Sequence, residues 1–497
     1  MIFNISISNS SSTFSIKQNS LLLKVFSDKE KLKYQLDEFL SSRNIALNSS
    51  LRKNFLRKDK SEIKFVNHEA KPDHVILTKI FADEKFDVDK FRELMSRTII
   101  NLKDENISNI QIELPHYKIF KDYYSSSEYY YQTFVEGIHL GNYTFDKYKS
   151  EKKDPRNLRI NFSISSKEVK SAIKKGENVL NAVDFAKDLS NEPAITLTPA
   201  ELVKRTNKEL SKYGVQVTVF NKSELKKRKM NSLLAVAEGS DNPPYLLLLK
   251  YKPNKKAIKK IALVGKGVTY DSGGYSIKPS DGMIEMNADM AGASTVVGTI
   301  LAAAKLKLPV ELIGIIPAVE NMISGRAFKP GDIISTSSGT TIEVKNTDAE
   351  GRLILADALE YTSKLKPDEI IDFATLTGAC VVALGEFTAG LFTKNDEIAK
   401  TINESSEKTF EKIWRLPFWD DFNEGLKSDL ADTSNLGPRW GGAITAGKFL
   451  ERFVDKDIPW AHVDLAGPAL KHKFRSYTEK YNTGYGVRLM IDYLGKK

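Results

Sequence analysis

Two glycine-rich segments of the 497-residue chain concentrate side chains that could hold metal ions. The first spans residues 264–278 and continues at 286–293, and the second spans residues 346–353. Between them they supply four carboxylates and two lysines, which are Lys266, Asp271, Lys278, Asp289, Asp348 and Glu350. None of the six histidines lies in either segment. An oxygen-rich, histidine-poor set of this kind can hold two divalent ions, and zinc, manganese, magnesium and cobalt are all chemically reasonable.

The first segment follows a predicted strand at 261–264, which runs directly into Gly265 and Gly267. Open α/β sheets place their sites at the carboxyl ends of strands, and glycine allows the backbone to approach a ligand closely. The segment has neither the GxxxxGKS/T spacing nor the GxGxxG pattern, so it is not a phosphate-binding loop.

The second segment contains an Asp-x-Glu step followed by an arginine. If Asp348 and Glu350 lie on an extended stretch, both carboxylates point to the same face, where they repel unless a cation sits between them. Arg352 comes at the start of a predicted helix over 353–365, and a helix N-terminus with an arginine is a natural anion site. Taken singly, each of these residues is more often a solvated or salt-bridged side chain, so only the combination indicates a site.

Apolar strands alternate with helices from about residue 195 onward, and these elements must position the two segments. Strands are predicted at 246–251, 261–264, 311–316, 370–373 and 461–465, and helices at 291–306, 353–365 and 443–454. This alternation predicts an α/β fold with a mixed, mainly parallel sheet covered by helices.

The chain up to about residue 165 differs in character, being rich in Ser, Asn, Lys, Tyr and Phe and poor in glycine. Its predicted strands and helices lie at 3–7, 21–26, 74–80, 31–40 and 88–102. Apolar residues at helical spacing then predict a long amphipathic helix over 167–190. We therefore predict three parts: a small N-terminal α/β domain at 1–165 with a structural or assembly role, a linker helix within 166–194, and a larger catalytic domain at 195–497.

Composition narrows the class of protein. The single cysteine, Cys380, excludes an intrachain disulfide and fits a reducing compartment. The polar N-terminus does not read as a secretory signal, and no apolar run approaches the length of about 20 residues that a membrane helix needs. The sequence therefore predicts a soluble cytoplasmic protein without a membrane partner.

Six motifs, in order and at characteristic spacing, resemble the leucyl aminopeptidase family of dinuclear metallopeptidases. Residues 346–353 read Asn-Thr-Asp-Ala-Glu-Gly-Arg-Leu, and residues 265–274 read Gly-Lys-Gly-Val-Thr-Tyr-Asp-Ser-Gly-Gly. The other motifs lie at 374–379, 439–446, 462–467 and 483–489. The resemblance is strong over 170–497. Tyr270, Asn287 and Ala291 depart from it, since Phe, a basic residue and Gly are usual there, but they leave the proposed metal ligands intact.

The resemblance implies two divalent metal ions, Mn²⁺ or Zn²⁺, in each subunit. The tighter ion would be held by Lys266, Asp271, Asp289 and Glu350. The more exchangeable ion would be held by Asp271, Asp348 and Glu350, so that Asp271 and Glu350 bridge the two. A water between two cations has a strongly lowered pKa and would be the nucleophile.

The remaining roles also follow from the resemblance. Lys278 would stabilise the oxyanion, and Arg352 would hold a bicarbonate that shuttles the proton. The substrate's free α-amine would bind one metal near Asp289, which implies cleavage of peptides from a free N-terminus. An apolar pocket would favour Leu- or Met-like residues, and its lining would be Met286, Thr375, Gly378 and Ala466.

Alternatives concern a different chemistry, an added partner and assembly. A two-metal phosphoesterase also uses carboxylate clusters, although the lysine and the motifs favour a peptidase. The net charge of +10 permits an additional DNA-binding role, for which the sequence offers no recognition motif.

The family forms homohexamers. The aromatic-rich segment at 414–440 suits either a subunit core or a symmetric interface, and the resemblance predicts a homohexamer.

Overall fold

The computed structural model describes residues 3–10, 19–57, 59–67, 72–151, 154–254 and 256–496. The chain divides into two compact units, Met1–Leu180 and Asn181–Lys497. The division falls inside a helix at Lys167–Asn191, which the amphipathic pattern had predicted at 167–190. The assignment of 166–194 as a linker stays a prediction.

The first unit contains one sheet. Its strands are β1 (Phe3–Asn9), β2 (Ser20–Phe26), β3 (Glu62–Val66), β4 (His74–Lys79), β5 (Asn109–Glu113) and β6 (Arg156–Phe162). Its helices are α1 (Leu32–Ser42), α2 (Ser49–Leu56), α3 (Lys90–Leu102), α4 (Ser127–Asn142) and the first part of α5 (Lys167–Asn191).

The described strands of this sheet are ordered β1-β6-β5-β2-β4-β3. All neighbours are parallel except the edge pair β3–β4. The core on one side is unusually aromatic, because Phe91, Phe120, Tyr130 and Phe134 pack ring to ring with centroids 4.5–6.0 Å apart. The first unit is therefore an α/β domain, as predicted.

The second unit carries the remaining elements. Its strands are β7 (Gln216–Phe220), β8 (Tyr245–Tyr251), β9 (Lys260–Gly265), β10 (Gly267–Asp271), β11 (Glu311–Asn321), β12 (Ile333–Ser335), β13 (Thr341–Glu343), β14 (Glu369–Ala374), β15 (Ala389–Phe392), β16 (Ile413–Arg415), β17 (Thr433–Ser434) and β18 (Trp460–Asp464). Its helices are α6 (Pro199–Leu210), α7 (Lys222–Lys227), α8 (Asn231–Ala237), α9 (Ser280–Met283), α10 (Ala291–Leu306), α11 (Glu350–Lys364), α12 (Gly378–Leu384), α13 (Asp396–Thr409), α14 (Gly442–Glu451) and α15 (Val487–Leu494).

The main sheet of the second unit is mixed and mainly parallel, which confirms the predicted fold class. Its described strands are ordered β16-β15-β18-β14-β9-β11-β8-β7, and β10 extends the pairing along β11. The central strands β9, β14 and β18 are parallel and buried on both faces, which is why they read as continuous apolar runs. Helices α10 and α11 cover this sheet with almost fully buried small and aliphatic residues.

Among the described residues, no helix is both long and apolar enough to cross a membrane.

Candidate active site

The carboxyl ends of the central strands meet at one edge of the main sheet. Lys266 directly follows β9, Asp271 ends β10, and Asn321 ends β11. Thr375 follows β14, and Asp464 ends β18 in register with Ala374. The parallel pairing therefore brings residues from distant parts of the chain to one place, as expected for an open α/β sheet.

A cavity of about 360 Å³ lies at this edge. Ten of the eleven residues predicted for the site line it, namely Lys266, Asp271, Lys278, Met286, Asp289, Asp348, Glu350, Thr375, Gly378 and Ala466. Arg352 is not among the lining residues. The cavity thus joins the predicted metal ligands to the predicted pocket residues.

Lys266 lies at the centre of the buried carboxylates. Its Nζ is 2.7 Å from Asp289 Oδ1 and 2.8 Å from Glu350 Oε1, and it donates a hydrogen bond to the carbonyl of Thr375 at 3.0 Å. Burial acts to lower the pKa of Lys266, but the neighbouring carboxylates outweigh it and raise that pKa above its ordinary value. The side chain is therefore an ammonium in this structure.

The Lys278 ammonium pairs with a second set of carboxylates. Its Nζ lies 2.9 Å from Asp271 Oδ2 and 2.5 Å from Asp348 Oδ1. Burial works against its charge, yet Asp271 and Asp348 raise the pKa of Lys278 above its usual range. Two lysines thus face four carboxyl groups, so the formal charge of the cluster is −2 when all six groups are ionised.

Asp348 and Glu350 do not lie on an extended stretch, which was the condition for their carboxylates to point to one face. Asp348 sits in a turn, and Glu350 is the first residue of α11, three residues before the predicted start of the helix. The turn nevertheless brings the carboxylates together, because one oxygen each of Asp271, Asp348 and Glu350 lie within 4.8 Å of one another. The first residue of a helix therefore places Glu350 close to Asp348, where an extended strand had been considered.

Two glycines are required by this packing. A Cβ at Gly351 would lie 2.5 Å from Cε and 2.7 Å from Nζ of Lys266, so a side chain there would displace the lysine. Gly273 has a φ of 85° and would place a Cβ 2.9 Å from Asp348 Oδ1. Each glycine leaves room for a charged side chain contributed by the other segment.

Arg352 is buried in the first turn of α11. Its Nη1 donates to the carbonyl of Asn435 at 2.8 Å, and its Nε has no hydrogen-bond partner. Burial lowers the pKa of Arg352 to about 10, and the charges of Glu350 and Asp464 oppose that shift.

Asn321 was missed by the sequence analysis. It is fully buried, and its Nδ2 donates to Asp271 Oδ1 at 2.8 Å and to the carbonyl of Thr347 at 3.0 Å. It therefore joins the two glycine-rich segments and orients a candidate ligand. Its position at the end of an apolar strand was the available signal, since side chains at the carboxyl ends of strands converge.

The rest of the cavity is mainly apolar. Leu376, Val381 and Leu470 add to the predicted lining, and none of them was predicted. Glu285 also lines the cavity, and its carboxylate lies 2.7 Å from Lys471 Nζ. The cavity therefore has a charged end and an apolar end.

The donor set fits divalent cations. Asp289 lines the cavity, and its Oδ2 is buried without a hydrogen-bond partner, so one candidate ligand atom is left unsatisfied. Burial raises the pKa of Asp289 to about 6 and that of Glu350 to about 8, because neither carboxylate is fully compensated by the two lysines. Added positive charge would relieve both effects.

Comparisons with known proteins point to one family. The model of the cytosol aminopeptidase family catalytic domain matches residues 184–491, and that of the same family's N-terminal domain matches residues 25–152. A probable cytosol aminopeptidase of Persephonella marina is 45% identical over 428 residues, 85% of each chain. One from Sulfurihydrogenibium sp. is 39% identical over 489 residues, 97% of this chain and 96% of the relative.

Solved structures show the same likeness. A mutant of tomato leucine aminopeptidase aligns with a TM-score of 0.86 and 32% identity, over 100% of this chain and 97% of that one. The bottromycin maturation enzyme BotP, in complex with Mn, aligns with a TM-score of 0.83 and 30% identity, over 96% and 99%. With both domain models matched and relatives of this similarity, the chain belongs to the cytosol aminopeptidase family and is a hydrolase of the aminopeptidase class.

Proposed function

We propose that this aminopeptidase depends on two divalent metal ions and prefers peptides with an apolar, Leu- or Met-like N-terminal residue. The observation that carries the proposal is the position of a buried, net-negative carboxylate cluster at one end of an otherwise apolar cavity. Such a cavity can bind a cationic reaction centre and an apolar side chain side by side.

The ligands would divide between two ions. One ion would be held by Lys266, Asp271, Asp289 and Glu350, and the other by Asp271, Asp348 and Glu350. Ions of this kind supply an activated water nucleophile and polarise the scissile carbonyl when they are bound. Lys266 would first have to lose the proton that pairs it with Asp289 and Glu350. We propose Mn²⁺ or Zn²⁺, and manganese is the metal named with the BotP structure.

Lys278 and Asp289 would act directly on the substrate. The raised pKa keeps Lys278 charged at neutral pH, so its Nζ can donate a hydrogen bond to the oxyanion that develops at the scissile carbonyl. Asp289 has one unpartnered oxygen, which can accept a hydrogen bond from the substrate's free α-amine. That contact would restrict cleavage to the first residue, because an internal peptide bond has no such amine.

Arg352 would hold a bicarbonate that moves the proton between nucleophile and leaving amine. Its unpartnered Nε and its position in the first turn of a helix support an anion there. Because Arg352 does not itself line the cavity, it would act through the bound anion rather than as the base.

The substrate's side chain would contact Met286, Thr375, Gly378 and Ala466. An apolar pocket distinguishes residues by only about 1–3 kcal/mol per methylene, so we propose a broad preference centred on Leu and Met.

The test is hydrolysis of leucine p-nitroanilide beside its N-acetylated form. We expect rapid cleavage of the free amine only, loss of activity on chelation, and recovery with Mn²⁺ or Zn²⁺. A phosphodiester in the same assay serves as the control for the phosphoesterase alternative, and we expect no cleavage of it. Equal cleavage of the acetylated anilide, or full activity after metal removal verified by elemental analysis, would contradict the proposal.

We also propose that the protein is a homohexamer. Within 414–440, the indoles of Trp414, Trp419 and Trp440 are 66%, 65% and 79% exposed, whereas Phe418 and Leu426 are buried. Exposed indoles of this kind favour an interface. Light scattering should give about six copies of the 55.8 kDa chain, about 335 kDa, and an active monomer would contradict this.

Cytoplasmic localisation completes the proposal, supported by the buried, unpaired Cys380 and by the relatives' description as cytosol aminopeptidases. The additional DNA-binding role stays a prediction from the net positive charge and from the family resemblance.

A further inference from the structure

One buried carboxylate outside the cavity accepts hydrogen bonds from three residues that line it. Asp464, at the end of β18, is fully buried. Its Oδ1 accepts from the backbone N–H of Leu376 at 3.1 Å and from that of Ala466 at 3.2 Å. Its Oδ2 accepts from Thr377 Oγ1 at 2.7 Å. A single side chain therefore holds the loop after β14 and the loop after β18 together.

Thr377 links Asp464 to the N-terminus of helix α12. Its Oγ1 donates to Asp464 and accepts from the backbone N–H of Cys380 at 3.0 Å, which makes it the N-cap of α12. The first turn of α12 carries Gly378 and Val381 into the cavity lining. The orientation of that turn is thus fixed by a hydroxyl that is itself fixed by Asp464.

Side-chain hydrogen bonds join the strand that carries Asp464 to its neighbour β14. His462 lies two residues earlier on β18, so both side chains are on the same face of the strand. His462 Nδ1 is 2.6 Å from Asp372 Oδ1, and Trp460 Nε1 donates to Asp372 Oδ2 at 2.8 Å. These residues occupy the neighbouring parallel strands β14 and β18, which pair in register from Ile370–Trp460 to Ala374–Asp464. The backbone that carries Asp464 is therefore held in the sheet by strand pairing and by these side-chain bonds.

The carboxylate cluster is held by other contacts. Asp271 is oriented by Asn321, and Asp289 by Lys266 and by Thr375 Oγ1 at 2.8 Å. The hydrogen bonds of Asp464 and Thr377 thus do not involve the candidate metal ligands directly, and the two sets meet only at Thr375, which precedes Leu376 in the loop after β14. A change in the Asp464–Thr377 contact should move the wall and leave the charged cluster in place.

We propose that Asp464 and Thr377 are positioning residues that set the width of the pocket for the substrate's N-terminal side chain, and so determine how strongly the enzyme prefers large over small residues. The inference rests on the proposed function, because it takes the cavity to be the pocket for that side chain. Asp464 acts through Leu376, Thr377 and Ala466 without reaching the substrate.

The experiment compares leucine and alanine p-nitroanilides in Thr377→Val, which keeps the shape of the side chain and removes both hydrogen bonds. Its matched control is Thr393→Val. Thr393 is also buried, and its Oγ1 likewise donates to one acceptor, the carbonyl of Trp460, and accepts from one backbone N–H, that of Asn395. Thr393 does not line the cavity. Thr377→Ser restores the hydroxyl, and Asp464→Asn tests the acceptor.

We expect Thr377→Val to lower the leucine-to-alanine ratio of kcat/KM about three- to tenfold, the value of one or two hydrogen bonds, mainly through a higher KM for leucine. Thr377→Ser should return the ratio to that of wild type, and Thr393→Val should leave it unchanged. Asp464→Asn should lower the ratio in the same direction. Calorimetric titration with Mn²⁺ should give wild-type affinity in Thr377→Val.

The results that would overturn the inference can be told apart. A wild-type protein that cleaves neither anilide overturns the proposed function and this inference with it. An active wild type whose preference is unchanged in Thr377→Val, or is changed equally by Thr393→Val, overturns the positioning role alone. A Thr377→Val protein that has lost Mn²⁺ binding also overturns it, because the wall and the charged cluster would then not be held separately.

Discussion

The two units of the chain each bury a cluster of charged side chains, but they satisfy the carboxylates differently. In the first unit, Arg92 Nε donates to Glu136 Oε2, and Gln132 Nε2 donates to Glu136 Oε1 at 2.7 Å. Arg92 also donates to Tyr129 Oη at 2.8 Å. In the second unit, two lysines face four carboxylates, and Asp289 Oδ2 has no partner. Both clusters are buried, yet of these two only the second has a carboxylate oxygen without a hydrogen-bond partner, whereas the unpartnered atom of the first is the amide oxygen of Gln132.

This difference in hydrogen bonding suggests a structural role for the first cluster and a ligand-binding role for the second. A buried ion pair whose hydrogen bonds are complete is costly to break, because the remaining charge loses its compensation. A buried cluster with excess negative charge is held at a cost in the metal-free protein, as the raised pKa values of Asp289 and Glu350 indicate. We therefore expect the same Glu-to-Gln substitution to have opposite consequences in the two units.

The largest effect is expected for Glu350→Gln. The proposed bridging ligand loses its charge, so kcat for leucine p-nitroanilide should fall by on the order of 10³-fold. The thermal unfolding temperature of the metal-free protein should be unchanged or higher. The reason is that burial destabilises the charged form of the Glu350 carboxyl group, and glutamine carries no charge. Near-normal turnover, or a large drop in unfolding temperature, would make this cluster a structural one.

Glu136→Gln is the matched substitution in the first unit. It leaves Arg92 buried with less compensation, and we expect a loss of about 3 kcal/mol in the free energy of unfolding, measured by urea denaturation of the metal-free protein. The kcat of the folded protein should stay at the wild-type value. If kcat fell as it does in Glu350→Gln, the proposed separation between the units would be lost.

A smaller effect concerns pH and the first unit. His139 reaches the surface in part, but its Nε2 is buried without a hydrogen-bond partner, and burial lowers the pKa of His139 to about 4. The unfolded chain binds this proton below about pH 6.5 and the folded protein does not until about pH 4, so stability should fall as the pH falls between those values.

Protonation of His139 in the unfolded chain should lower the free energy of unfolding by at most about 3 kcal/mol. Urea denaturation at pH 7 and pH 5 measures it, with His139→Gln as the variant that cannot titrate. The variant should lose less stability than wild type between these two pH values. Identical losses would show that His139 does not contribute.

Much of the fold and the site could be predicted from the sequence, because both depend on local patterns. The buried parallel strands read as apolar runs, and α10 was predicted at the residues where it lies, Ala291–Leu306. The candidate ligands lie in short segments at strand ends, and so the motifs alone indicated them. Ten of the eleven residues predicted for the site, ligands and pocket residues together, line one cavity.

The features that could not be predicted depend on contacts between distant segments. Asn321 reaches Asp271 across 50 residues, and Asp464 reaches Leu376 and Thr377 across 88 and 87. Both contacts exist only because parallel strands pair in one register, which no local pattern specifies. The shared face of Asp348 and Glu350 was argued for an extended stretch, whereas Glu350 is the first residue of α11.

The central claim is that the carboxylate cluster of the second unit binds the ions on which catalysis depends. The most direct test is equilibrium dialysis against Mn²⁺, with elemental analysis and leucine p-nitroanilide turnover measured on the same samples. We predict about two ions per chain in the wild type and in Glu136→Gln, fewer in Glu350→Gln, and turnover that rises with occupancy. Full turnover in protein that holds no divalent metal, or equal metal content in wild type and Glu350→Gln, would contradict the claim.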